Sequence, residues 1–504
     1  MKNKTELFYI LLLIVFVIIA FLFFGKNIYS PYSDIGRELY ITEQVKNGAI
    51  LYKDIFNVYS PLGYWVNALI VKLLGNQLNT FYYIGLSLSV LTIIPIFLIS
   101  KAYTNKHLAF FIALFLVYSC TFYTSISNWI TPYSYSIVYA LCSTLWSFYF
   151  LHSYIDKKEK KYIYIASFLS GLSICFKYEF CGLYIFILCV AIYKKEFLKT
   201  FLYSVIIPII CFLILLFQGC TLQTFQEAFI YMIGISKSDS TQYFYEYAKI
   251  APTIENIKYS FMNILYQNFK SIFAPICIIN FVLLIINLKR KNKSLALLLF
   301  VSLITSIKSL GGISFEIYGT YFFPLLFIAL VSSLYKTEKK IRTIYLCIIC
   351  FILTIFYFSF TVTETKKLTQ INTQKGEMNI PIVFYNSTIE ILDYLKDTKN
   401  KNILIFPEGT IINYLTNTTS DDYLYYLIPP NNDIFDESFI KDKIKQGKMN
   451  YIITTNIQYP WFNEKSFMTG WGKEYIEIIK EEYKQEMIIG ENLKFYVYKH
   501  DIIK

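Results

Sequence analysis

Residues 32–75 read YSDIGRELYITEQVKNGAILYKDIFNVYSPLGYWVNALIVKLLG, directly after an apolar run at 7–24. Two helical patterns lie in this stretch, and both fall short of the roughly 20 residues that cross a bilayer. The first opens at Asp34 as N-cap and stops at Gly48, with Ile35, Leu39 and Val45 as a thin apolar stripe. The second has Ser60 as N-cap, Pro61 at its first position and Gly75 just past its end. Tyr64 and Trp65 suit an interfacial anchor. The stretch therefore reads as an outer loop whose helices lie on a membrane.

The rest of the chain supplies that membrane protein. Of the 504 residues 55% are hydrophobic and 19% aromatic, with a mean hydropathy of +0.45, above the apolar share of a soluble domain. Apolar runs at 7–24, 81–100, 108–124, 135–154, 162–177, 179–193, 200–217, 272–288, 295–310, 319–335 and 342–362 predict about eleven transmembrane helices. The absence of a small-residue cleavage signature after Phe24 makes the first a retained anchor.

The net charge of +12 is not a polyanion signal. Residues 363–504 carry 17 Lys and Arg against 20 Asp and Glu. The positive excess sits instead in short connections such as KAYTNK, DKKEKK, KKEFLK, LKRKNK and KTEKKIR. They alternate with connections poor in charge, which places the N-terminus in the cytoplasm. The loops at 25–80 and 218–271 and the segment 363–504 then face outward. All ten cysteines fall in or beside the spans, so disulfides are not expected to hold the outer parts.

Residues 1–362 thus form a polytopic all-α membrane domain. After it, short apolar runs alternate with amphipathic helices (IEILDYLKD, ILIFP, YIITTN, GKEYIEIIKEEY, KFYVYKH), which predicts an extracytoplasmic α/β domain over 363–504. In that domain Glu408 and Gly409 read as a turn.

The first outer loop holds the main chemical candidates. Asp34 and Glu38 are four residues apart and share a helix face, with Arg37 beside them, an arrangement suited to general-base chemistry. Asp54 is a third acid nearby, and Lys53 and Tyr59 complete the cluster. At the outer ends of later spans stand Lys177, Glu179, Glu316, Tyr318 and Tyr321. Each has a structural alternative: Asp34 as a helix cap, Glu38 as a partner of Arg37, Lys177 and Glu179 as an interfacial pair, the tyrosines as belt residues. His107, His152 and His500 do not cluster with outer acids, so no tightly bound metal is expected; a weakly bound divalent cation at Asp34 stays open.

Three stretches, residues 32–75, GLSICFKYEFCGLY at 171–184 and FEIYGTYFFPLLFIALVSS at 315–333, resemble the GT-C superfamily. These are polytopic glycosyltransferases of the protein O-mannosyltransferase and lipid A aminoarabinose transferase kind. An acid after the first span, then G-x-x-x-Y-x-D, then a Pro-Leu helix, is the most specific match. The resemblance implies inverting transfer of a sugar from a polyprenyl-phosphate carrier to an acceptor on the outer side of the plasma membrane, and the Ile, Lys, Asn and Tyr bias of the composition suggests a bacterial source. Asp34 aligns with the loop-one acid, and Arg37, Lys53 and Lys177 are the cations available for the phosphate, with Lys53 or Lys177 favoured. The next outer loop, SISNWITPYSYS at 125–136, departs from the pattern, offering Asn128 where a second acid is common. A polysaccharide polymerase or ligase is the alternative, disfavoured because Arg37 is the one arginine of the outer loops. A transporter is a further alternative, disfavoured by spans with ionisable groups at their outer ends.

Overall fold

The computed structural model describes residues 2–247, 255, 273–306, 319–335, 340–398, 401–420, 423–446, 448–462 and 467–500. Helix α1 (Lys2–Phe24) leads into two short helices, α2 (Asp34–Lys46) and α3 (Leu62–Leu74). A helical bundle follows: α4 (Leu78–Tyr103), α5 (Lys106–Leu116), α6 (Tyr135–Lys157), α7 (Lys160–Phe176), α8 (Cys181–Tyr193) and α9 (Phe197–Phe217). After α10 (Leu222–Lys237) and α11 (Asp239–Tyr247), the bundle continues with Phe273–Lys289, Lys293–Thr305, Thr320–Tyr335 and Lys340–Thr365.

The apolar stretches of the sequence are helical over most of their described residues. Among the described residues, Lys4–Phe24, Leu78–Tyr103, Phe197–Phe217 and Arg342–Thr365 are the four helices long and apolar enough to cross a membrane by length and composition. Their surfaces agree with that use. Leu22 on α1 and Phe217 on α9 are 75% and 87% exposed, and Ile352 on the last helix is 58% exposed. Such apolar faces are unfavourable in water and at ease in hydrocarbon. The fold is that of a multi-pass membrane protein. All ten cysteines carry free thiols.

Beyond Thr365, strands β1 (Leu368–Thr373) and β2 (Gly376–Pro381) form an antiparallel hairpin. A second sheet combines β3 (Ile403–Phe406), β4 (Tyr451–Thr455), β5 (Tyr483–Ile489) and β6 (Phe495–His500) in the order β3-β4-β6-β5. β3 and β4 run parallel and are buried along their whole length, as strands covered on both faces are. β6 runs antiparallel to both of its neighbours.

The hairpin pins both ends of the loop at 25–80. The amide of Ile28 donates to the carbonyl of Asn379 (2.8 Å) and the amide of Asn379 to that of Lys26 (2.9 Å). At the far end, the amide of Leu78 donates to the carbonyl of Lys375 (2.8 Å). A buried ion pair, Lys375 Nζ to Glu43 Oε1 at 2.9 Å, ties the same hairpin to α2.

Here the structure departs from the surface helix expected for α2. Eight of its 13 residues are buried, among them Ile35, Leu39, Tyr40 and Ile41. Burial of side chains of that size contributes roughly 1.5–3 kcal/mol each. The helix Thr410–Thr416 covers them. Gly36 makes the approach possible, because a Cβ there would lie 2.8 Å from Ile411 Cβ and from the carbonyl of Pro31. The thin apolar stripe is visible in the sequence, but its cover comes from more than 350 residues further along the chain. Helix α3 behaves closer to expectation, with Leu69, Leu73 and Leu74 exposed. Its helical start at Leu62, one residue later than the sequence suggests, is within ordinary end variation.

The stretch expected as a second outer loop at 218–271 is helical over most of its described residues, in α10 and α11. A capping box between Thr221 and Thr224 starts α10. The amide of Ser240, at the start of α11, donates to Asp433 Oδ2 (2.9 Å), which docks the segment on the C-terminal part.

Candidate active site

The first turn of α2 opens onto a cavity of about 950 Å³, walled by the loop at 25–80, the 125–136 connection, α11 and the C-terminal segment. Asp34 and Arg37 both line it. One turn of helix brings their side chains together, and Arg37 Nη2 donates to Asp34 Oδ1. Oδ2 carries no hydrogen bond to any described residue. The other arm of the guanidinium, Nη1, reaches Glu408 Oε1 at 3.2 Å, and Arg37 Cζ lies 4.6 Å from the centroid of the Tyr426 ring.

Glu408 is the residue that sequence reasoning missed. It leaves the carboxyl end of β3, and Tyr459, which follows β4, donates its hydroxyl to Glu408 Oε2 (3.2 Å). Two parallel strands thus present their carboxyl ends to the cavity, where open α/β sheets place their ligands. Gly409 permits the turn: its φ is +152°, and a Cβ would lie 2.7 Å from Ile405 Cγ2. A strand, an acid and a glycine in ILIFPEG are the signal that could have been weighted more heavily than a plain turn.

Two carboxylates therefore share one guanidinium in a mostly buried setting. Burial pushes the Glu408 carboxyl up to about 7, with Arg37 opposing and Asp34 reinforcing the rise. For Arg37, burial works against the charge, but Asp34, Tyr426 and Glu408 override it and hold the pKa well above the usual value. A divalent cation fits this donor set poorly, since a fixed positive charge already bridges the two acids. No group of three His, Cys, Asp or Glu suited to a metal occurs among the described residues.

The raised Glu408 pKa predicts a pH dependence of stability. Between its ordinary value of 4.5 and about 7, the folded protein keeps a proton that the unfolded chain releases. Stability therefore falls as pH rises through that window, by on the order of 3 kcal/mol. Thermal unfolding of the purified protein between pH 4.5 and 7.5 should show the decline, and Glu408→Gln should flatten it. A decline of the same size in the variant would assign it to other groups.

The other predicted residues divide into those behind the cavity wall and those away from it. Tyr59 lines the cavity, and Lys177 lies beneath it, with Nζ 3.6 Å from the centroid of the Tyr59 ring and 5.6 Å from that of Tyr133. Glu179 Oε1 is 3.8 Å from the same Nζ. Lys177 is 1% exposed, so it supports the wall from behind instead of facing the lumen. Tyr321 is also buried, donates to the carbonyl of Asn128 (3.5 Å) and packs edge-on against Tyr133. Glu316 and Tyr318 lie outside the described residues.

Glu38, Lys53 and Asp54 are not brought to the cavity. Lys53 is exposed beside Gly219, and Asp54 Oδ2 accepts the amide of Ile50 (2.8 Å), closing a turn. Glu38 is 3% exposed, with Oε1 accepting the Tyr64 hydroxyl (2.6 Å) and Oε2 the amide of Tyr135 (3.1 Å). Burial raises its pKa, opposed by those two hydrogen bonds and by Lys177. It staples α2 to α3 and to the first turn of α6, where a carboxylate also suits the helix dipole. Glu38→Ala leaves a buried hydroxyl and amide unpaired, so it should lower unfolding free energy by about 2–5 kcal/mol while the folded fraction keeps its specific activity. Normal stability with lost activity would reverse that assignment.

Asn128 does not replace a second acid either. Its Oδ1 accepts the amides of Ile130 (3.0 Å) and Thr131 (2.6 Å), which holds its own connection in shape. Among the described residues, Arg37 is the cation that lines the cavity.

A family model for dolichyl-phosphate-mannose-protein mannosyltransferases matches residues 59–218. No curated protein sequence matches the chain. Among solved structures, ArnT from Cupriavidus metallidurans bound to undecaprenyl phosphate superposes with a TM-score of 0.54 at 9% identity, covering 100% of this chain and 99% of that one. The Archaeoglobus fulgidus oligosaccharyltransferase, in a complex with Zn and sulfate, gives 0.49 at 11% identity over 93% and 69%. The likeness to ArnT extends over the whole fold, and the resemblance to GT-C glycosyltransferases read from the sequence is borne out.

Proposed function

We propose that the chain transfers a sugar from a polyprenyl-phosphate-linked donor to an acceptor on the outer side of the plasma membrane, with inversion and with Asp34 as general base. The observation that carries this reading is the placement of Asp34. Its carboxylate stands on the wall of a cavity large enough for a substrate, and one oxygen is held by an arginine that a distant carboxylate holds in turn. In this reading a hydroxyl of the acceptor attacks the anomeric carbon, and its proton passes to Asp34. The bond from that carbon to the phosphate oxygen breaks, and the electron pair leaves with the phosphate. Arg37 faces the same lumen and supports the developing charge. The ArnT structure was solved with undecaprenyl phosphate, and the shared fold makes a lipid of that class the first donor to try.

The test is direct. The purified full chain in nanodiscs is incubated with radiolabelled lipid-linked sugars extracted from the organism's own membranes and with its delipidated envelope glycans. Label should move from the organic phase to the glycan fraction. Label that crosses the bilayer while staying on lipid would support a transporter instead. Label that enters long chains built of donor units would support a polymerase.

A further inference from the structure

One wall of the cavity is aromatic and leads outward from the carboxylates. Tyr459, whose hydroxyl sits on Glu408, packs edge-on against Trp461 (5.7 Å, 77°) and nearly parallel to Phe462 (6.2 Å, 29°). Phe462 in turn meets Phe244 of α11 at 5.7 Å. Trp461 remains 39% exposed at the end of this run, although tryptophan is on average a well-buried residue. Exposed Gln458 stands three residues before it, on the same cavity.

This composition selects among ligands. A hydrocarbon chain would leave the amide of Gln458 and the nearby carboxylates dehydrated and unpaired. An anionic group on this wall would meet aromatic rings and the Gln458 amide, whereas Arg37, the described cation of the lining, stands at the carboxylate end of the cavity. A sugar ring meets neither objection. Its flat C–H face carries the partial positive charge that the electron-rich face of an indole attracts, and the hydroxyls on its rim match a side-chain amide.

We propose that the Tyr459–Phe462 wall is a saccharide subsite, with a sugar ring stacked on Trp461 and its hydroxyls hydrogen-bonded by Gln458. This rests on the glycosyltransferase reading and adds the chemical class of what enters from the outer side: a neutral glycan whose reacting hydroxyl is directed towards Asp34. The same stacking would also suit the donor sugar, so the experiment carries one arm for each source.

Binding is measured by isothermal titration calorimetry on the full chain in nanodiscs. The first arm uses lipid-free oligosaccharides released from the organism's envelope by mild acid, and the second uses its extracted lipid-linked sugar. Trp461→Ala should weaken the oligosaccharide by about tenfold, Trp461→Tyr by less than threefold, and Gln458→Ala should fall between them. A loss confined to the lipid-linked sugar would assign the subsite to the donor and overturn its assignment to the acceptor. Oligosaccharide affinity unchanged in Trp461→Ala, or equal Trp461-dependent binding of polyprenyl phosphate lacking a sugar, would overturn the subsite altogether. Saccharide binding that depends on Trp461 without any label transfer by the wild type would fail the glycosyltransferase reading and leave the subsite standing.

Discussion

Asp34→Asn lowers label transfer by about 10²- to 10⁴-fold, the usual contribution of a general base, and leaves the protein folded. The substitution keeps the shape of the side chain and removes its capacity to take a proton. The fold has reason to survive it: Asp34 is one of two partners of Arg37, and Glu408 continues to hold the guanidinium at 3.2 Å. The face of α2 buried by Ile35, Leu39, Tyr40 and Ile41 is untouched. Two readouts are needed, label transfer from lipid-linked sugar and the thermal unfolding midpoint. Loss of transfer at an unchanged midpoint is the expected pair. Transfer at the wild-type rate would remove Asp34 from the chemistry, and loss of both together would reduce it to a helix-terminal residue that stabilises α2.

The part of this site that the sequence made legible is local. An acid four residues before another, an arginine between them and a glycine stop are short-range signals: the first three lie on one 13-residue helix in the structure, and Gly48 follows its end. The helical spans were legible for the same reason, since length and apolarity are properties of a window. The segment after Thr365 showed its strands and helices as alternating short runs. It gave no hint that the turn after β3 would meet a helix 371 residues earlier in the chain. Glu38 shows the converse. It shares a turn with Asp34, yet both its oxygens face neighbouring helices, and no periodicity distinguishes a carboxylate that looks into a cavity from one that staples a core. Lys177 has a similar history: a cation at the outer end of a span suggests a phosphate contact, but the rings of Tyr59 and Tyr133 lie close to its ammonium group.

Arg37→Ala should abolish transfer and also cost on the order of 3 kcal/mol of stability, because Glu408 and Asp34 lose the guanidinium that donates to both, and Glu408 must then hold at pH 7.5 a proton that the unfolded chain releases. These two effects have different origins, and a second substitution separates them. Glu408→Gln keeps the shape of the protonated carboxyl and removes its titration. Combined with Arg37→Ala, it removes the carboxyl that must otherwise stay protonated at pH 7.5. The double variant should therefore regain most of the lost stability, an interaction of the kind that residues in contact show in mutant cycles. Transfer should stay absent, since neither substitution restores a cation for the departing phosphate or a partner that orients Asp34. Thermal unfolding of the four proteins at pH 7.5, beside their label transfer, measures both. If the double variant were no more stable than Arg37→Ala, the ion pair would not be what joins α2 to the β3 turn. If it recovered transfer, the role given to Arg37 in the chemistry would fall.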